Sequence, residues 1–115
     1  MTYMLLIVEP LGQRAERGLP AGQEAYAAMQ RFADGLQQRG LLLGAQALKS
    51  PATRVQRRAE RVLALDGPFA ETKEMVGGYY LLDCATREQA LAVAAECPAA
   101  AWAEVEVREI GTCYE

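Results

Sequence analysis

The sequence contains no histidine, so it lacks the side chain that most often acts as a general base near neutral pH. Ser–His–Asp catalysis, Cys–His catalysis and histidine metal ligands are therefore excluded within these 115 residues. Ser50 is the single serine, and it precedes Pro51 in a segment typical of loops, so a nucleophilic serine is not expected either.

Cysteine is also scarce. Cys84, Cys97 and Cys113 are odd in number and have no C-x-x-C spacing, which indicates neither a disulfide framework nor a zinc site. We expect reduced thiols, with Cys113 the most exposed because it lies in a polar tail. The chain has no Walker loop and no G-x-G-x-x-G after a strand, so no metal, flavin or nucleotide cofactor is predicted.

Excess positive charge and long apolar runs are missing as well. The formal net charge is −3, which favours binding neither to nucleic acid nor to an anionic membrane. The apolar run near Met1 is too short to span a bilayer and has no basic leader, so it indicates a strand and not a signal peptide. These features predict a cytoplasmic protein.

The residues that are present alternate between strand and helix patterns. An apolar strand over 2–9 is followed by a loop over 10–20 rich in Gly and Pro, then by a helix over about 21–39 that Gly40 ends as a left-handed C-cap. Later segments are predicted as a strand (41–48), a hairpin (54–57 and 61–66), a strand (77–84), a helix (86–97) and a strand (103–110). The order β–α–β–hairpin–β–α–β predicts one domain, residues 1–115, with a ferredoxin-like α+β sandwich.

Local signals support several of these boundaries. Thr86 and Gln89 form a capping box, and Gly67 is free to adopt a positive φ in the turn before Pro68. The second helix is expected to bury Ala90, Leu91, Ala94, Ala95 and Cys97.

The first and third sheet strands are apolar on both faces, although two helices cover only one face of a four-stranded sheet. Since no other segment is available to cover the second face, we expect a two-fold homodimer whose sheets pack against each other.

The stretch "DGPFAETKEMVGGYYLLD" (66–83) concentrates the residues that could carry chemistry. Asp66, Glu71 and Glu74 are candidate catalytic acids or bases, and Lys73, Tyr80 and Tyr3 are candidate substrate-binding residues. Structural alternatives stay open for each type: a turn-forming Asp66, a solvated charge cluster, and tyrosines packed in the core. Gly77 and Gly78 indicate either a close approach of another backbone or of a ligand, or a β-bulge.

A basic patch lies on the predicted hairpin, formed by Arg54, Arg57, Arg58 and Arg61. It is either a solvated surface or a docking surface for an acidic partner. The chain lacks the run of aromatic residues with which ferredoxin-like sheets stack RNA bases.

The segments "YMLLI", "DGPFAETKE", "GGYYLLD" and "VEVREI" resemble the DGPF family, a branch of the YCII-related proteins. The resemblance covers most of the chain and implies a dimeric α+β barrel. YCII-related proteins have been proposed to be enzymes because of a histidine–aspartate pair, which this chain cannot supply. DGPF proteins are often encoded beside sigma factors of the extracytoplasmic-function type, which implies a regulatory setting.

Two functions follow from the sequence. The first is a dimer that binds a small polar or anionic molecule, with cofactor-free acid–base chemistry by its carboxylates. The alternative is a non-enzymatic regulatory or sensor dimer that acts through a protein partner.

Overall fold

A computed structural model describes residues 1–69 and 71–115. It contains a four-stranded antiparallel sheet whose strands lie in the order Leu42–Ala47, Glu74–Asp83, Thr2–Pro10 and Glu104–Glu109. A separate two-stranded hairpin is formed by Thr53–Arg58 and Arg61–Asp66. Ala70, within the "DGPFAETKE" segment, lies outside the described residues. The elements are β1 (Thr2–Pro10), α1 (Gln13–Arg17), α2 (Leu19–Gln38), β2 (Leu42–Ala47), β3 (Thr53–Arg58), β4 (Arg61–Asp66), β5 (Glu74–Asp83), α3 (Arg87–Glu96), a 3-10 turn (Pro98–Ala101) and β6 (Glu104–Glu109). The predicted ferredoxin-like α+β fold with an extra hairpin is confirmed.

The core lies between the sheet and the helices. Tyr3, Leu5 and Ile7 of β1 are buried, while Met4 and its alternate neighbours on the same strand are only half-buried. This alternation follows from the period of two along a strand. The helix α2 packs against the core through Met29, Phe32, Ala33 and Leu36, and Ala25 is half-buried.

The ends of the helices are largely where local signals placed them. Gly40 has a φ of +72°, directly after the C-cap residue of α2, which confirms the predicted left-handed position. Thr86 Oγ1 accepts a hydrogen bond from the Gln89 backbone N–H at 3.1 Å, and Gln89 Oε1 accepts one from Ala85 N–H at 2.7 Å. These two bonds satisfy donors at the start of α3.

Three local expectations are wrong. The segment 10–20 was expected to be a loop, but it contains α1, which is bounded by Gly12 (φ +84°) and Gly18 (φ +81°). Gly67 does not have a positive φ, and the turn forms through a cis Gly67–Pro68 peptide. On α3, Leu91 and Ala95 are exposed. The buried face of that helix consists of Ala90, Val93, Ala94 and Cys97, because the helix meets the sheet along an i, i+3, i+4, i+7 row.

The hairpin projects away from the body of the domain. Its tight turn has positive φ at Ala59 (48°) and Glu60 (64°), and every residue of its two strands is exposed. The radius of gyration is 16.0 Å, whereas a compact domain of this length has about 13 Å. The hairpin is therefore an arm that this subunit alone does not cover.

The three cysteines are free, with Cys84 and Cys97 buried and Cys113 exposed, as predicted. Within the described residues, none of the helices has the length and apolar character needed to cross a membrane.

Candidate functional site

A cleft of about 800 Å³ lies between the α1–α2 segment and the sheet. This volume falls in the range of small-molecule sites in proteins. Apolar side chains form much of its walls, and they come from β1, α2 and β2: Ile7, Ala25, Met29, Ala33, Leu42 and Ala45. The polar side chains that line it include Glu9, Arg14, Arg17 and Gln30.

Glu9 is the buried charged residue of this cleft. It continues the inward series of β1, two residues after Ile7, so its carboxylate points to the helix side of the sheet and only 5% of the residue is exposed. Charged residues are almost never buried this far unless they are paired. Here Oε1 lies 2.5 Å from Arg14 Nε and has almost no accessible surface of its own. The contact is thus an ion pair that fixes the Glu9 carboxylate at the wall of the cleft.

Arg14 holds the walls of the cleft together. Its Nη1 donates to the Leu48 carbonyl at 2.6 Å, and its Nη2 donates to the Gly77 carbonyl at 3.2 Å. These bonds connect α1 to the residue that follows β2 and to β5. Both terminal nitrogens of the guanidinium are therefore bound to backbone carbonyls, and its charge positions the Glu9 carboxylate.

Gly77 allows the Glu9–Arg14 pair to approach the sheet. The register between β1 and β5 shifts after Ile7, which pairs with Gly78, while Val8 pairs with Val76. Gly77 is the extra residue of this bulge. A Cβ atom at Gly77 would lie 2.5 Å from Glu9 Oε2 and 2.7 Å from Arg14 Nη2, so a side chain has no room there. The predicted bulge is confirmed at this residue. The predicted close approach of another backbone is confirmed at Gly78, where a Cβ atom would lie 2.8 Å from the Gln46 carbonyl oxygen.

Arg17 lines the cleft beside an aromatic wall. Its guanidinium lies 5.3 Å from the centre of the Trp102 ring, and its Nη2 donates to Gln13 Oε1 at 3.2 Å. Gln13 in turn donates through Nε2 to the Trp102 carbonyl at 2.7 Å. This chain of contacts fixes the side chain of Arg17 at one end of the cleft.

Of the six site residues predicted from sequence, Tyr80 is the one that lines this cleft. Its hydroxyl donates to the Met29 carbonyl at 2.8 Å, and its ring meets Phe32 edge-on with centroids 5.3 Å apart. Burial, and to a smaller extent the nearby Cys97 thiol, raises the pKa of Tyr80 far above its ordinary value. Tyr80 is therefore neutral and packed in the core as well as being part of the cleft wall.

Tyr3 lies on the same buried side of the sheet, one strand away from Tyr80. Burial, with a smaller contribution from the charge of Glu109, raises the pKa of Tyr3. It is a core residue that is 2% exposed.

The charged residues of the 66–74 segment lie on the surface and outside the cleft. Asp66 accepts a hydrogen bond from Thr53 Oγ1 at 2.6 Å across the base of the hairpin. Glu71 and Lys73 are exposed, and the Lys73 carbonyl accepts a bond from Leu11 N–H. Glu74 borders a separate hollow of about 310 Å³, beside Pro10 and Glu104 on the far strand β6. The structure does not bring these four side chains together with Tyr80, and their catalytic and binding roles stay predictions.

Sequence reasoning missed Glu9, Arg14 and Arg17. A signal for Glu9 was present, because it continues the alternation of Tyr3, Leu5 and Ile7 into the buried side of β1. The arginines carried no comparable signal, because α1 has five residues and lies between glycines and prolines.

Fold and cleft together define a ferredoxin-like α+β protein with a site of small-molecule size. A model of the YCII-related domain matches residues 1–112, and the chain belongs to this family. It is 48% identical over 40 residues to an uncharacterised protein of Rhizobium meliloti (strain 1021), a match that spans 35% of this chain and 32% of that protein.

Among solved structures, the fold is similar to that of 5-chloro-2-hydroxyhydroquinone dehydrochlorinase from Burkholderia phenoliruptrix AC1100, in complex with 2,5-dihydroxybenzoquinone. The TM-score is 0.57 with 12% sequence identity, and the alignment covers 99% of this chain and 97% of the other. At this identity the likeness concerns the fold.

Proposed function

We propose that this protein is a cytoplasmic homodimer that binds a small polar or anionic molecule in the cleft and acts on it by cofactor-free proton transfer. Glu9 is the general base, Arg14 positions it, and Tyr80 forms part of the wall. The observation that carries the proposal is the buried Glu9 carboxylate, which is paired with Arg14 and lines a cleft of about 800 Å³.

The environment of Glu9 suits this role. Apolar walls reduce the screening of its charge, so a proton donor on a bound molecule interacts with the carboxylate more strongly than it does in water. The Arg14 guanidinium holds the carboxylate in one position through the ion pair. A positioned carboxylate of this kind contributes roughly 10²–10⁴-fold to a proton transfer.

Similarity to a dehydrochlorinase over nearly the whole fold supports an enzymatic use of this scaffold. That enzyme was solved with a hydroxylated quinone, a planar molecule of a size that a cleft of this volume accommodates. Fold similarity alone does not transfer a reaction, so the proposal depends on Glu9 and its surroundings.

The test is a thermal-shift screen with hydroxylated aromatics and small carboxylic acids, followed by turnover measurements on the best ligand. A ligand at 100 times its Kd stabilises the folded chain by about 2.7 kcal/mol. We expect Glu9→Gln to lower kcat about 10²-fold or more, because glutamine keeps the shape but cannot accept the proton. Glu106→Gln, on the exposed side of β6, is the matched control and should leave kcat unchanged.

Two results would overturn this function. One is a stabilising ligand that still binds when Ala25→Phe fills the cleft, which would place the ligand elsewhere. The other is a substrate whose turnover is unaffected by Glu9→Gln. If Asp66→Asn and Lys73→Ala abolish turnover instead, the site proposed from the sequence, with Asp66, Glu71, Lys73 and Glu74, replaces the cleft.

A regulatory or sensor dimer that acts through a protein partner is the second candidate. The exposed arm favours it, because Val55, Val62, Leu63 and Leu65 are all between 47% and 68% exposed on the two strands that also carry the basic patch. No stabilising small molecule in the screen, together with partner binding that Val62→Lys abolishes, would favour this function over the enzyme.

A further inference from the structure

We propose that the ligand of the cleft carries a carboxylate and that Arg17 binds it, while a hydroxyl group of the same ligand faces Glu9. The inference rests on the proposed function, since it names the class of molecule that the cleft takes: a planar hydroxyaryl carboxylate.

The two arginines of α1 differ in how many of their N–H groups already donate hydrogen bonds within the protein. Arg14 uses Nη1 and Nη2 on backbone carbonyls and its charge on Glu9. In the part of the chain that the structure describes, Arg17 donates one hydrogen bond, from Nη2 to Gln13 Oε1. Its remaining N–H groups form the planar fork that fits a carboxylate with two parallel hydrogen bonds.

The first turn of α2 strengthens this end of the cleft. Gly18, Leu19 and Gly22 line the cleft, and the helix that begins there has twenty residues. Its first turn has no acidic residue, and no side chain caps its N-terminus. Pro20 has no N–H and the Gly22 N–H bonds to the Gly18 carbonyl, so the positive end of the helix dipole is what favours an anion in this part of the cleft.

Glu9 restricts the class of ligand further than a preference for negative charge does. Arg14 and Arg17 are three residues apart on one helix and therefore neighbours on its surface, about 5–6 Å apart at Cβ. Arg14 contacts Glu9, and all three residues line the same cleft, so one ligand in the cleft can contact both the Glu9 carboxylate and the Arg17 fork. A ligand with two anionic ends would be repelled at Glu9, whereas a hydroxyl there donates a hydrogen bond to it.

The rings beside Arg17 favour a flat ligand. Trp102, over whose ring the Arg17 guanidinium lies, and Tyr26 line the same cleft, as do the small residues Gly22, Ala25 and Ala33 of α2. An aromatic ring stacks on such walls and buries its apolar faces, while its polar groups reach the two ends.

The experiment compares 2,5-dihydroxybenzoate with 2,5-dihydroxybenzamide, which has the same ring and hydroxyls but no negative charge. Isothermal titration calorimetry should show the benzoate binding to the wild-type protein at least about tenfold more tightly than the amide. Arg17→Gln should weaken the benzoate to the affinity of the amide and leave the amide unchanged. Arg31→Gln, an exposed arginine further along α2, is the control and should preserve the discrimination.

Arg17→Lys separates charge from geometry. It should retain part of the preference for the benzoate but less than the wild type, since lysine lacks the fork. Thermal unfolding of each variant without ligand shows whether Arg17 also supports the fold through Gln13 and Trp102. If Arg17→Gln unfolds, the lysine variant alone carries the comparison.

The outcomes distinguish this inference from the proposed function. Equal affinity of the two probes for the wild-type protein, or no binding of either at millimolar concentration, overturns the carboxylate class and leaves Glu9 as a candidate base for other ligands. Binding that discriminates between the probes but is insensitive to Ala25→Phe overturns both, because the molecule would then lie outside the cleft.

Discussion

At the residue scale, Gly77 shows how strictly the sheet constrains the cleft. We expect Gly77→Ala to destabilise the protein by about 1–3 kcal/mol, because its Cβ would meet Glu9 Oε2 at 2.5 Å and displace the ion pair with Arg14. Urea unfolding measures the change. Gly35→Ala is the control: a Cβ there meets nothing within 4 Å, so this change in α2 should stabilise by about 0.5–1 kcal/mol. A neutral Gly77→Ala would show that the pair can move away from β5.

Tyr80 leads to a prediction about alkaline pH. Its pKa is raised in the folded chain from the ordinary value of 10.0, with burial as the main cause. Above pH 10 the unfolded chain releases the proton that the folded chain keeps, so stability falls as the pH rises.

Tyr80→Phe should lose about 0.5–1.5 kcal/mol at pH 7, because the bond to the Met29 carbonyl disappears. Above pH 10 its stability should fall less steeply than that of the wild type, by up to about 1.4 kcal/mol per pH unit. Chemical denaturation between pH 7 and pH 11 measures both effects. Tyr114→Phe, at a residue that is 85% exposed, should follow the wild-type curve. Parallel curves for Tyr80→Phe and wild type would contradict the assigned burial effect.

At the element scale, the β3–β4 hairpin was predicted correctly, and its turn holds backbone strain. Ala59 and Glu60 both have positive φ, which two-residue hairpin turns require but which non-glycine residues adopt at a cost of about 1 kcal/mol or more. We expect Ala59→Asn with Glu60→Gly to slow amide hydrogen exchange in β3 and β4 roughly tenfold, because it removes this strain. Glu60→Gln retains the strain and is the control. Equal exchange in all three proteins would show that the turn does not limit opening of the arm.

Most elements could be predicted from the sequence because their signals are local. Apolar, β-prone runs identified the strands, and Thr86 with Gln89 identified the start of α3. Where the sequence failed, the cause was tertiary. The bulge at Gly77 lets β5 extend back to Glu74 and pair with Pro10, and no local pattern encodes that pairing.

The site shows the same division between local and tertiary information. The sequence placed the candidate site in the "DGPFAETKE" segment because that segment is rich in charged residues. Its first residue, Asp66, instead accepts a hydrogen bond from Thr53 at the base of the arm. The cleft is instead assembled from single residues of β1, α1 and α2 that are distant from it in sequence. Only the alternation of β1 carried a signal for the cleft, through Glu9, and that signal was missed.

At the scale of the whole molecule, the sheet has one covered and one open face. The helices pack on Tyr3, Leu5 and Ile7, whereas the opposite face presents an apolar strip in the middle of the sheet, formed by Met4, Leu6, Val8, Val76, Tyr79 and Leu81. Beside it, the outward side chains of β6 are charged: Glu104, Glu106 and Arg108. An apolar centre with a polar rim is the usual anatomy of a protein interface.

We expect the purified protein to have a mass of twice its 12.5 kDa by light scattering coupled to size exclusion, because pairing two open faces removes the apolar strip from water at roughly 25 cal/mol per Å². Leu6→Lys puts a charge in the centre of that strip and should produce a monomer. Leu91→Lys, on the exposed side of α3, is the same substitution away from the face and should remain dimeric. A wild-type mass of 12.5 kDa would contradict the dimer, and a dimeric Leu6→Lys would move the interface to the arm, where Val62→Lys would then dissociate it.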